Sequence, residues 1–577
     1  MPVLGLLVPK SEKESVSTRV YRQAALDEGV PLEVVYYEDL LNSFRSGDVS
    51  SKALIVPDDA SRFAQALLLP ILQNFVKNGG KLAIIGDALT LGHNGRLKET
   101  FAVESDYGFS KTLDRIGDTI QFQNSAVFSS REWIERLRIP PGRSYIENSG
   151  DTLYHFCTYQ SDDTPYPHWR TEPAKNFRGK VILEGKDGSL VAGMQNFGKG
   201  EVLWVNMPLG FLKKRTDGLF LHSFLRWISE DWVGLPTLLG VPNGQGGLVL
   251  NVHVDSNAAL PGLKTMTEMG IFKQGPFSIH VTAGPDAREI GDGLGFDLAH
   301  NKTSQNWVKT WVAEGHEVGA HGGWIHDYFG KKISETETKE MVKYLELNRE
   351  AVEKASGRPV LEYSSPVGNH PAWISRWLSK NGYQSYYFSG NTGMAPNRAF
   401  RDDEFTDEKL WSFPISAYRQ FASFEEAKEQ KVSAKVVESW LNELSDYVSN
   451  QQTVRLFYFH PPGVLSYKNA LDSWMARNLK LSKQNRFRWY TMAQISTFLT
   501  LREALGWTVT EKEGRHLVLR VPGTQGIQSM VWRLSKSNVK NIKVLSGSAD
   551  IRDFSAHYEI QPKDLSETLV EIEQVVP

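Results

Sequence analysis

The sequence predicts a mixed α/β protein of several domains, and three observations carry that reading. Apolar runs without alternation, such as 3–8 (VLGLLV) and 81–86 (KLAIIG), are separated by amphipathic stretches at the spacing of a parallel sheet. The segment 233–247 (VGLPTLLGVPNGQGG) is dense in Gly and Pro and interrupts the series before a second one begins. After about residue 505 the pattern turns to short alternating strands with few helical stretches. At roughly 150 residues per domain, 577 residues predict three or four domains.

Taken in order, residues 1–235 read as a doubly wound α/β domain. Strands are expected at 3–8, 32–37, 53–57 and 81–86, with helices near 17–28 and 61–78, the second stopped by Gly79-Gly80. Residues 90–180 look like an insertion, followed by strands at 189–193 and 201–205 and a helix over 218–230. Residues 236–247 are expected to be a linker. Residues 248–505 hold six or seven βα units, which predicts a (β/α) barrel, complete or short of closure. Its strands are placed at 248–254, 277–283, 316–321, 360–364, 384–388 and 454–460, and its clearest helix at 334–355, with Ser334 and Glu337 at capping-box spacing and Gly357 as the stop. Residues 506–577, with strands at 516–521, 529–533 and 541–545, read as a small β-sandwich.

Composition removes several function classes. Lys and Arg total 65 against 67 Asp and Glu, so no basic excess points to nucleic acid or to an anionic membrane. No apolar run approaches the length of a membrane span, and no signal peptide is visible at MPVLGLLVPK. The single cysteine, Cys157, excludes an internal disulfide framework and a Cys-rich zinc site. No GxGxxG or GxxxxGK[ST] is present.

The candidate chemistry lies at three strand ends of the second series, where parallel barrels keep their active sites. The first segment is 248-LVLNVHVDSN-257: His253 and Asp255, two apart on a strand, share a face. The competing role for Asp255 is a cap on the next helix. The second is 315-GHEVGAHGGWIHDYFG-330, where His321 and His326 flank a Gly-Gly-Trp turn, and imidazoles leaving one loop can converge on a metal. His316 opens that strand and belongs to the far end. The third is 453-TVRLFYFHPPG-463, where Pro461-Pro462 stops the strand and leaves His460 at the rim.

An Asp, two His about 65 residues later and a strand-terminal His near the end of the barrel together resemble the NodB-type polysaccharide deacetylases, a carbohydrate esterase superfamily. The resemblance makes Asp255, His321 and His326 ligands of a divalent metal, with zinc expected, and His460 the catalytic histidine. Pro366 in 363-YSSPVG-368 falls on the pocket-wall motif, and 490-WYTMAQISTFL-500 looks like the helix that closes many of these barrels. Three departures stand out. Four residues separate His321 from His326 where the family has three, so the loop must bulge at Gly322-Gly323. His253 stands in for the family's catalytic-base Asp, and Ser364 replaces the pocket-wall Arg. The N-terminal domain resembles the flavodoxin-like fold of class I glutamine-amidotransferase relatives, with Gly86-Asp87-Ala88 where a nucleophilic Cys would stand; a structural or carbohydrate-binding role is expected instead. The three-part arrangement is similar to that of the deacetylases of Pel-type exopolysaccharide systems and of galactosaminogalactan.

The resemblance implies metal-dependent hydrolysis of N-acetyl groups on a hexosamine polymer rich in N-acetylgalactosamine. His460 would be the acid, His253 or Asp255 the base, and a backbone N–H near Val367 an oxyanion donor. Trp324, Tyr328, Ser364, Pro366, Tyr386, Tyr387 and Trp411 are the candidates for contacting sugar. The polysaccharide is the expected partner, with other exopolysaccharide biosynthesis proteins, in the periplasm or outside the cell. The alternatives are a catalytically impaired carbohydrate-binding or assembly protein, and a small-molecule C–N hydrolase on the same barrel.

Overall fold

Four apolar strands and a fifth from much later in the chain build the parallel half of the N-terminal sheet: β1 (Leu4–Val8), β2 (Leu32–Tyr36), β3 (Ala53–Val56), β4 (Lys81–Ile85) and β5 (Gly200–Val205). Their spatial order is β2-β1-β3-β4-β5, the flavodoxin-like doubly wound order. The sheet does not stay parallel. Leu190–Phe197 pairs antiparallel with β5, and Lys180–Gly185, Val127–Ser130, Leu153–Phe156 and Ser144–Tyr145 extend it to ten strands. The strands expected to resume a parallel series at 189–193 thus start an antiparallel half; the hairpin turn at Phe197–Gly200 is too short for a crossover. This computed structural model describes residues 2–575 except 47–50, 60–67, 90–114, 117–118, 121, 160, 172, 402–403, 406–408 and 513–515. Much of the expected insertion and of the 61–78 helix lies outside the described residues; the described part of that helix is Leu68–Lys77.

The second series forms an all-parallel sheet: β6 (Gly247–Val254), β7 (Ser278–Val281), β8 (Glu317–His321), β9 (Glu362–Ser364), β10 (Ser385–Phe388), β11 (Trp411–Pro414), β12 (Val454–Phe459) and β13 (Arg488–Tyr490). The order is β11-β10-β9-β8-β7-β6-β12, with β13 also paired to β6. A single parallel bridge between Ile415 and Leu456 brings the two edges together, so the sheet is a nearly closed barrel. The strand at β11 escaped the sequence reading because WSFP is short and ends in Pro. The helix expected from 334 begins at Lys339. Thr338, not Ser334, caps it by accepting from the Met341 N–H, while the Ser334 hydroxyl closes a local turn with Thr336; Gly357 ends it at φ 69° as anticipated.

Between barrel and helices lies an apolar layer in which Trp474 is fully buried, its indole N–H donated to Ser445 and its ring edge-on to Phe457 and Trp489. Trp474→Ala is expected to cost about 3–5 kcal/mol of unfolding free energy, measured by denaturant titration followed on the remaining tryptophans.

The segment 236–247 is not a free linker. Leu235, Leu238, Leu239 and Val241 are buried, and Thr237–Leu238 pairs with Trp532–Ser535 as an edge of one C-terminal sheet. Its glycines serve close packing: a Cβ on Gly246 would lie 1.9 Å from the Val448 carbonyl oxygen, and one on Gly247 1.9 Å from that of Arg488. The C-terminal residues form two four-stranded antiparallel sheets, one of which includes Thr237–Leu238. Among the described residues, no helix is long and apolar enough to cross a membrane.

The N-terminal sheet bears on the barrel at the C-terminal ends of β10 and β11. The buried Arg143 guanidinium donates to the carbonyls of Ala417 (2.7 Å), Arg419 (2.7 Å) and Asn391 (3.2 Å). The buried Asp217 carboxylate accepts from the Met394 N–H at 2.9 Å and the Thr392 N–H at 3.3 Å. Loops at the open end of the barrel are thereby braced by charged groups from outside it.

Candidate active site

Strand β6 is buried along its whole length, and its period of two sends Asn251, His253 and then Asp255 to the same side. Ser256, not Asp255, caps the following helical turn by accepting from Ala258, which leaves the Asp255 carboxylate free for the site. The loop after β8 brings His326 back beside His321. Gly322 takes φ 65°, and a Cβ there would meet the Pro366 ring at 2.3 Å; one on Gly323 would meet Phe329 at 2.4 Å. The Gly-Gly bulge is therefore both a conformational and a packing requirement.

Asp255, His321 and His326 converge. Asp255 Oδ1 lies 3.1 Å from His321 Nε2 and 3.6 Å from His326 Nε2, and the two Nε2 atoms are 3.0 Å apart. The outer nitrogens are already committed: His326 Nδ1 to the Asp327 carboxylate at 2.8 Å, and His321 Nδ1 to Ser364, at 2.7 Å from Oγ and 3.2 Å from the carbonyl oxygen. A carboxylate and a carbonyl can only accept, so each Nδ1 carries its hydrogen and each Nε2 presents a lone pair. Burial pushes the His321 pKa down to about 4, so a second proton on its ring is disfavoured. Two lone pairs facing each other beside Asp255 Oδ1, a buried oxygen without a hydrogen-bond donor, form a set of three ligand atoms that can share one cation. That donor set suits a divalent ion with an open coordination position.

His460 closes the other side. Its Nε2 is 3.6 Å from Asp255 Oδ2 and its Nδ1 3.3 Å from Glu425 Oε2. Burial opposes its charge, but the carboxylates of Asp255 and Glu425 outweigh that and raise its pKa to about 9. Burial also opposes ionisation of Asp255, yet the charged imidazole of His460 holds it well below the usual carboxylate range. His253 is the neutral member. Asn251 donates its amide N–H to the Ser278 carbonyl at 3.2 Å, which turns its oxygen toward His253 Nε2 at 2.7 Å and leaves the hydrogen there and the lone pair on Nδ1. Burial, then the neighbouring imidazoles, drives the His253 pKa well below the ordinary value.

The polysaccharide deacetylase family model matches residues 295–386, a stretch that contains both His321 and His326. Over that stretch the chain matches a polysaccharide deacetylase domain. Deacetylation is the chemistry that such a domain supports. Among solved structures, the chain is similar to a putative polysaccharide deacetylase from Mycobacterium smegmatis (16% identity, 47% of this chain and 96% of that one, TM-score 0.34) and to the peptidoglycan deacetylase PdaC from Bacillus subtilis (18%, 46% and 96%, 0.27). It is also similar to a β-galactosidase from Bacillus circulans sp. alkalophilus (14%, 42% and 33%, 0.27). No curated protein matches the sequence.

The barrel redistributes the residues expected to touch sugar. Ser364 is fully buried, its hydroxyl between the rings of His280 and His321, so it braces the two imidazoles and does not face the cleft. Trp411 is 1% exposed at the start of β11, its indole bonded to Thr500 and its face covered by Arg398, at the wrong end of the strand for the mouth. Tyr328 turns to the helix Lys339–Ser356, where its hydroxyl donates to Glu340. Trp324 is half-buried and Tyr386 buried against His370. Pro366 packs on Gly322 as a wall, and Val367 beyond it is 63% exposed at φ 49°. Tyr387 borders His253 at a ring separation of 5.3 Å and also lines a cleft of about 410 Å³ shared by Ser389, Asn391, Lys214, Arg215 and Arg401. His316 is a satisfied core histidine at the far end, accepting from the Phe277 N–H and paired with the Phe272 carbonyl.

Sequence reasoning missed Glu425, Asn251 and Asp327. Asp327 adjoins His326 and was within reach of a motif reading. Asn251 continues the inward period of β6. Glu425 comes from a helix 35 residues before His460, with no spacing to announce it. Its room is made by Gly463, where a Cβ would lie 2.1 Å from Glu425 Oε1.

Proposed function

We propose that the protein removes N-acetyl groups from hexosamine residues of an exopolysaccharide, rich in N-acetylgalactosamine, with a divalent ion, zinc, held by Asp255, His321 and His326. The convergence of two bare imidazole nitrogens on one unpartnered carboxylate oxygen carries this reading. When bound, the ion supplies Lewis acidity that polarises the acetamide carbonyl. The chain does the proton work. His253, with its Nδ1 lone pair bare, takes a proton from the attacking water as the C–O bond forms; Asp255 is the alternative acceptor where it is not fully committed to the ion. His460, cationic at neutral pH, donates from Nε2 to the amide nitrogen as the C–N bond breaks, because an amine anion cannot leave. Glu425 holds the other imidazole nitrogen and so keeps the donor pointed inward. The N–H of Val367 is the candidate oxyanion donor. Acetate and a polymer amine result.

The cleft of about 410 Å³ beside Tyr387 is lined by barrel residues and by Lys214 and Arg215, and that second wall from outside the barrel supports a polymer over a small C–N substrate. A polymer of this kind is met outside the cytoplasm, so we place the protein in the periplasm or beyond, acting with other exopolysaccharide biosynthesis proteins. One observation favours a second reading, a carbohydrate-binding protein with impaired catalysis: the position of the family's carboxylate base is held by an imidazole of depressed basicity.

The test is acetate release from N-acetylgalactosamine and N-acetylglucosamine polymers before and after chelation. Release that chelator abolishes and Zn²⁺ restores is expected. Equal release from metal-depleted protein rejects the metal mechanism, and polymer binding without release selects the second reading.

A further inference from the structure

Barrel interiors are ordinarily filled by branched apolar side chains. Below the candidate metal ligands this one is polar: Asn251, Ser278, His280, Glu362 and Ser364 are all fully buried on β6, β7 and β9. Four groups form a continuous line. His321 Nδ1 lies 2.7 Å from Ser364 Oγ, Ser364 Oγ 2.9 Å from His280 Nδ1, and His280 Nε2 3.1 Å from Glu362 Oε2. The far oxygen of Glu362 accepts from the Ala493 N–H at 2.7 Å, at the N-terminus of the helix Met492–Glu503; burial pushes the Glu362 pKa up to about 7, and that N–H opposes the rise. The β7–β8 register puts Gly319 opposite His280, and a Cβ on Gly319 would lie 2.5 Å from that ring; the strand gives up a side chain to admit the imidazole.

The line has one direction. The Ser364 carbonyl, 3.2 Å from His321 Nδ1, accepts only, so His321 carries its hydrogen on Nδ1. That hydrogen is shared with Ser364 Oγ, so the hydroxyl hydrogen goes to His280 Nδ1, and the His280 hydrogen on Nε2 goes to Glu362. Reversing the line would give the buried hydroxyl two donors and no acceptor for its own hydrogen, at the cost of an unmet buried polar group. We infer that Glu362, His280 and Ser364 are positioning residues that lock His321 in the tautomer with Nε2 bare and, from a carboxylate two hydrogen-bonded groups away, strengthen it as a metal ligand. The inference rests on the reading of Asp255, His321 and His326 as ligands, and it concerns residues that touch neither the ion nor the substrate.

A double-mutant cycle on metal affinity tests it. Zn²⁺ dissociation constants are measured on the full chain by competition with a chromophoric chelator, for wild type, Ser364→Ala, Glu362→Gln and the double variant. Outer partners of ligating histidines typically contribute about 10–100-fold in affinity, so each single variant is expected to bind about 10-fold or more weakly. The double variant is expected to match Ser364→Ala to within about twofold, because the line is already cut; coupling of this kind separates a relay from two independent packing defects. Losses that multiply in the double variant, or single variants that bind like wild type, overturn the relay. If Glu362→Gln does not fold, His280→Gln takes its place in the cycle. A wild-type chain that binds no Zn²⁺ overturns the ligand site and the relay with it, whereas a wild type that binds beside unaffected variants overturns the relay alone.

Discussion

His460→Gln is expected to lower kcat for acetate release by about 10²–10⁴-fold, the usual contribution of a positioned acid, with little change in bound metal. The loss follows from where the proton sits. With its pKa raised to about 9 by Asp255 and Glu425, against the opposing effect of burial, His460 is cationic through neutral pH and can protonate the leaving nitrogen. Activity should therefore fall on the alkaline side as His460 loses its proton, at a pH below about 9 because a bound cation offsets part of the Asp255 charge that raises that value. Glu425→Gln removes one of the two carboxylates, so the limb is expected to move to lower pH while the shape of the side chain is kept. The sign for stability is the same. The folded pKa lies above the ordinary histidine value, so the stabilisation is fully present below the unfolded pKa and is lost as pH rises through the folded one. A pH–rate profile of the two variants against wild type checks both statements. An alkaline limb that stays in place in Glu425→Gln would remove Glu425 from the account.

Asp255→Asn should have the other large effect, because that carboxylate serves both halves of the site. Oδ1 faces His321 and His326, and Oδ2 faces His460. An amide keeps the shape and removes the charge. Bound Zn²⁺ is expected to fall from about one per chain to a small fraction, since a carboxylate oxygen is a far better ligand than an amide. The His460 pKa should fall toward the ordinary range because its strongest charge partner is gone. Losing the ion and weakening the acid together should reduce acetate release by more than the about 10²–10⁴-fold expected for the acid alone. Metal content by elemental analysis and acetate release on the same preparation read the two effects separately. A variant that keeps its metal would show that the carboxylate is not a ligand.

The two predictions draw on different kinds of information. Asp255, His321 and His460 were legible because each stands at the end of an apolar run whose period or Pro stop marks where the strand finishes, and His326 because it follows the Gly-Gly-Trp turn after one of those ends. Strand ends are local features, and so is the Gly322-Gly323 bulge. Glu425 was not legible: it reaches His460 from a separate helix, and the only trace in the chain is a glycine at 463 whose missing Cβ leaves room for it. Ser364 was visible but misassigned, because a serine in a pocket-wall motif says nothing about whether its hydroxyl faces the cleft or the ring of a ligand. Trp411 and Tyr328 were read as a sugar platform from their type; their direction is set by Arg398, Thr500 and Glu340, none of them within a few residues of the side chain it holds.

By itself, then, the chain determines its mixed α/β class, the parallel series of strands and the ends at which polar residues gather, because these follow from hydrophobic period and from Pro and Gly stops along a few residues. Tertiary structure decides the rest. It turns half of the N-terminal sheet antiparallel, ties 236–247 into a C-terminal sheet, bridges β11 to β12 and brings Glu425, Ser364 and Glu362 to the histidines. Those outcomes depend on which distant surfaces pack together, and the protonation of each imidazole depends in turn on the charges and carbonyls that such packing places beside it.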